Sequence, residues 1–100
     1  MEDIEMNRKY NGYTNRLTWL VSLHINNDER LYNIVQKYIS TLSSQKINSS
    51  ETILILASYI QSLISDILEN DAKELLTKDI INDVLDNIDF IDIASSMVLN

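Results

Sequence analysis

Apolar side chains recur at helical spacing along most of the chain, separated by short polar stretches, and this pattern predicts an all-α protein. The clearest case is Leu31, Ile34, Val35, Tyr38, Ile39 and Leu42, which share one face of a helix running to about Ser43. Asn26 is expected to cap it, with Glu29 three residues on as a variant of the capping box. Residues 43–49 (Ser-Ser-Gln-Lys-Ile-Asn-Ser) read as a loop. Ser49 or Ser50 then caps a helix over about 51–69. Its Ile53-Leu54-Ile55-Leu56-Ala57 run is apolar all round, so it is expected at the centre, covered by its neighbours. A short helical turn over 72–77 precedes a helix capped by Thr77 that reaches Leu85 and buries Ile80, Ile81, Val84 and Leu85. Asp86 or Asn87 restarts a last helix with Ile88, Ile91, Ala94 and Val98 inward.

The front of the chain carries two competing patterns. Trp19, Val21, Leu23 and Ile25 alternate as in a half-buried strand, whereas Leu17, Leu20, Val21 and His24 line one helical face. Cap residues Thr14 and Asn15 stand directly before the segment and favour a helix over about 15–25. Before them, Tyr10-Asn11-Gly12-Tyr13 reads as a tight turn, because Asn-Gly adopts positive φ at little cost. The expectation is a single small domain of four to five helices, residues 10–100, packed around the central apolar helix, with residues 1–9 as a flexible N-terminal arm.

Composition narrows the class. The 100 residues include no Cys, no Pro and one Gly, which removes disulfide scaffolds, thiolate metal sites and glycine-built phosphate loops. Ile and Leu supply 28 core candidates, too many for a disordered chain. The N-terminus is acidic where a signal peptide is basic, and Ser58, Gln61, Ser62, Ser65 and Asp66 make the apolar helix too polar to span a bilayer. An intracellular protein of the host cytoplasm, away from membranes, is the expectation.

Charge is unevenly placed. The net is −7, yet residues 7–46 hold six basic and two acidic residues, while residues 66–92 hold nine acidic and two basic ones. The total argues against nucleic acid as a partner. Asp79, Asp83 and Asp86 recur at helical spacing, and Asp89 and Asp92 extend the row if the helix continues. Such a row is either a solvated face, a docking surface for a basic partner, or, much less readily, a divalent-metal site, since calcium loops need Gly and another spacing. His24 is the only histidine and sits on an apolar face, where packing explains it. No catalytic set and no cofactor is expected.

Tyr10, Tyr13 and Trp19 lie beside Arg8, Lys9 and Arg16. Aromatics interleaved with cations can stack on bases, and they can equally staple a turn onto a small core.

The string from Tyr10 to Leu23, containing Tyr10, Asn11, Gly12, Tyr13, Thr14, Asn15, Thr18 and Trp19, resembles the opening signature of a family of short uncharacterised phage, archaeal-virus and plasmid proteins. Asn26-Asn27-Asp28-Glu29 and Leu31-Tyr32-Asn33 continue the likeness, and Ile88-Asp89-Phe90-Ile91-Asp92-Ile93-Ala94 is similar to the family's closing pattern. Two positions depart from it. Leu17 replaces a usual Glu, which would remove a capping box from Thr14, and Phe90 stands where Trp is common. The resemblance implies a mobile-element origin and a small helical domain, and brings no assigned catalytic residues.

Together these readings lead to an expected non-enzymatic accessory protein that binds a host protein complex with a basic surface, such as a CRISPR effector or restriction system. Asp79, Asp83, Asp86, Asp89 and Asp92 would be its contact row. The alternatives are a nucleic-acid-binding or regulatory module built on Arg8, Lys9, Arg16, Tyr13 and Trp19, and a virion assembly protein whose opposite charges pair between copies as a homo-oligomer.

Overall fold

The computed structural model describes residues 10–71 and 78–99. The expected N-terminal arm, the turn over 72–77 and the Thr77 cap lie outside them. The described residues form α1 (Arg16–Asn27), α2 (Glu29–Ser43), α3 (Ser49–Asp71), α4 (Lys78–Asp86) and α5 (Phe90–Leu99). No strand occurs among them beyond one isolated bridge between Tyr10 and Tyr13.

Local chemistry sets each start. Asn15, extended at φ −153°, accepts the Thr18 N–H on its side chain at 2.8 Å and opens α1. Segment 18–25 is therefore helix. Asp28 caps α2 by accepting the Leu31 N–H at 3.0 Å. This corrects the expected Asn26 cap, because α1 runs through Asn27 and leaves Asp28 as the first extended residue. Asn48, rather than Ser49 or Ser50, caps α3 by accepting the Glu51 N–H at 2.8 Å. At the start of α5, Asp89 accepts the Asp92 N–H at 3.0 Å, so the cap falls beyond Asp86 and Asn87.

α3 is the shared partner. α5 packs along it most extensively, α2 and α4 also lie against it, and α1 bridges α2 and α5. Leu56 and Ile60 of α3, Ile25 of α1, Val35 of α2 and Ile93 of α5 are almost fully buried and meet in one core. α2 buries the face its sequence period indicates, with Val35 and Leu42 at its centre.

Three apolar expectations fail. α3 is the central helix, as expected, but in a slab 22 Å thick, about two helices, one side of it is left uncovered. Leu54 is 56% exposed and Ile55 39%, on the side opposite Leu56 and Ile60. Ile80 and Ile91 also face outward, while Phe90 and Ile93 take the inward places on α5. His24 is exposed, since α1 turns Thr18, Ser22 and Ile25 to the interior instead of the Leu20 and His24 side. By length and composition alone α3 passes as a membrane-crossing helix, a test that the core helix of a soluble protein also passes.

Candidate functional site

Asn11 and Gly12 adopt φ values of 58° and 90°, and the Tyr13 N–H returns to the Tyr10 carbonyl at 3.1 Å. Positive φ at both central positions makes a tight reversal of the type that Asn-Gly favours. The reversal delivers Tyr13, Thr14 and Asn15 to the start of α5, more than seventy residues further along the chain.

There the opening and closing segments interlock. The Thr14 N–H donates to Asp92 Oδ2 at 2.7 Å, and the Thr14 hydroxyl lies 2.8 Å from Oδ2 of both Asp89 and Asp92. Asn15 Nδ2 donates to the Asn87 carbonyl at 3.0 Å while its oxygen caps α1. Thr18 Oγ1, fully buried, accepts the Asp89 N–H at 2.9 Å. A second chain of bonds runs from the Ser22 hydroxyl to the Tyr13 hydroxyl (2.9 Å), on to Ser96 Oγ (3.1 Å), and from Ser96 to the Ile93 carbonyl (2.8 Å). Among the described residues no buried side-chain N or O lacks a partner. Burying hydroxyls is tolerated only when their bonds are made, and here they are made to each other and to α5.

The two segments that carry the resemblance are thus the two halves of one clasp. Asn11 and Gly12 form its exposed turn, Tyr10 and Tyr13 pair across that turn, and Thr18 is its buried peg. Trp19 lies half-buried on α1. Leu17 sits at the second helical position and packs against the core, so a Glu there would not have completed a box with Asn15. Thr14, expected as a cap, is spent instead on α5. Arg16 is exposed on the first turn, and Arg8 and Lys9 lie outside the described residues.

The row of five aspartates is divided. α4 ends at Asp86 and the chain breaks helix over 87–89, so no single ridge runs from Asp79 to Asp92. Asp79, Asp83 and Asp86 are exposed on α4. Asp89 and Asp92 are half-buried in the clasp, at the positive end of the α5 dipole. Among the described residues their side-chain partner is Thr14 rather than an arginine or lysine.

Beside the clasp lies an open groove of about 630 Å³ between α3 and the α4–α5 connection. Leu54, Ala57, Leu85 and Ile91 give it apolar walls, and Asp86 and Asp89 are its charged lining residues. Neither the groove nor the surface it opens onto was legible in the periodicity, which assigned Leu54 and Ile91 to the interior. On the other flank of α3, Tyr38 and Tyr59 stack with ring centroids 3.8 Å apart and 6° between planes.

Over residues 6–97 the chain matches the model of a family of unknown function, DUF7249, and it belongs to that family. No curated protein and no solved structure matches it.

Proposed function

We propose that this member of the family is a non-enzymatic accessory protein of a virus or mobile element that acts by binding another protein through its acidic helical face. Its target in this reading is a host defence complex of the CRISPR or restriction type. The observation that carries it is the exposure of Asp79, Asp83 and Asp86 along α4, at a spacing that keeps all three in one sector of the helix. A fixed row of like charges raises the local potential and steers a basic surface onto it. Complexes that handle nucleic acid carry such surfaces.

Two further features support the reading. The opening and closing signatures resemble those of phage, archaeal-virus and plasmid proteins, in keeping with the origin. The hydroxyls and carboxylates gathered around Thr14 are engaged with one another and with the start of α5, as a structural join requires.

The test is affinity capture from host cells, with mass spectrometry, using the wild-type chain and the combined Asp79→Asn, Asp83→Asn, Asp86→Asn variant. The expected result is a nucleic-acid-handling complex retained by the wild type, lost with rising salt and absent from the variant. Capture indifferent to both salt and charge removal contradicts the proposal.

A further inference from the structure

We infer that the groove between α3 and the α4–α5 connection seats a basic amphipathic segment of the partner, an apolar side chain resting on Leu54 and Ile91 while a lysine or arginine reaches Asp86 and Asp89. The inference rests on the reading of a protein partner with a basic surface, and gives that partner a place and a chemistry.

Leu54 is 56% exposed and Ile91 52%, on different helices, yet both line the same groove. Isolated surface leucines need no explanation, but two large aliphatic side chains meeting at a concavity leave apolar area that a ligand can cover. The walls are fixed. Ala57 and Phe90 behind them belong to the buried core, and the first turn of α5, which carries Ile91, is held by Thr14 and Thr18. A site already in shape avoids the ordering cost of forming one on binding.

Charge selects the occupant. Among the described residues the charged members of the lining are Asp86 and Asp89, and the lining holds no cation. Asp86 is exposed, and each carboxylate oxygen of Asp89 accepts one internal bond, leaving a lone pair on each. A second copy of the chain brings a net charge of −7, and its basic residues are scattered over 7–46 rather than set beside an apolar face that would fit this groove, so it is the weaker occupant. A segment alternating aliphatic and basic side chains over helical turns matches both floor and rim.

The probe is a fluorescein-labelled Leu/Lys amphipathic helical peptide, compared with its Leu/Glu counterpart and with a scrambled Leu/Lys peptide lacking an apolar face. Binding is read by fluorescence anisotropy at low and moderate salt. The expected result is binding of the amphipathic Leu/Lys peptide alone. Leu54→Gln and Ile91→Gln, both at exposed positions, should each weaken it at least tenfold, and Asp86→Asn several-fold with a shallower salt dependence. Circular dichroism of each variant checks that the helices are retained. Binding lost on Asp79→Asn/Asp83→Asn but unchanged by Leu54→Gln and Ile91→Gln overturns the groove while keeping the acidic-face reading. Equal binding of the Leu/Glu or scrambled peptide, or a dimer that Leu54→Gln dissociates, overturns the groove as a basic-segment site. Absence of any peptide binding overturns it too, and leaves the acidic-face reading to the capture experiment.

Discussion

Thr18 Oγ1 accepts the backbone N–H of Asp89 at 2.9 Å, joining the first turn of α1 to the first residue before α5 across 71 positions of sequence. The peg is fully buried, so its loss strands a donor away from water. Thr18→Val keeps the shape and removes the acceptor. It is expected to cost about 1–3 kcal/mol, whereas Thr18→Ser keeps the bond and costs less. Urea unfolding of the three proteins measures the difference.

Gly12 sits at φ +90°, and a Cβ there would meet no atom within 4 Å. Space is therefore not the constraint; backbone conformation is. Gly12→Ala should destabilise by about 1 kcal/mol through the left-handed backbone alone. Asn11→Gly should be nearly neutral at φ 58°. Thermal melts read both, with about 4–8 °C of midpoint for each kcal/mol in a domain of this size.

Asp89 and Asp86 are three residues apart and should differ sharply. Asp89 caps α5 and bridges to Thr14, so Asp89→Ala is expected to cost about 1–2 kcal/mol. Asp86 is exposed at the end of α4, and Asp86→Ala should fall within about 0.5 kcal/mol of wild type. Denaturant titration of the pair separates structural carboxylate from surface carboxylate.

The two faces of α3 give a parallel contrast. Leu56 is fully buried, and Leu56→Ala should cost about 2–5 kcal/mol through lost burial and the cavity left behind. Leu54→Gln, two residues away on the open side, should leave the unfolding midpoint close to wild type. A large loss at Leu54 would mean that this face is covered in solution.

Periodicity located the helices because Leu56, Ile60, Val35 and Leu42 repeat at helical spacing and are buried for that reason. In α1 it found the helix and the packing of Leu17 and Val21, but missed an interior that is partly hydroxyl. Thr18 and Ser22 are buried on the strength of bonds to Asp89 and Tyr13, and a hydropathy pattern carries no trace of partners so far along the chain. The same blindness placed Ile91 and Leu54 inside, since apolar character alone does not say that a slab two helices thick leaves one side of its central helix bare. The aspartate row was legible as composition and spacing. Its division was not, because Asp89 is held by Thr18 and Thr14, partners more than seventy positions away in sequence.

The most direct test of the clasp is a double-mutant cycle on Tyr13 and Ser96, whose hydroxyls meet at 3.1 Å between the opening turn and α5. Tyr13→Phe, Ser96→Ala and the double variant are compared by urea unfolding. A clasp that joins the two ends predicts a coupling of about 0.5–1.5 kcal/mol. Effects that simply add, within about 0.3 kcal/mol, would contradict it.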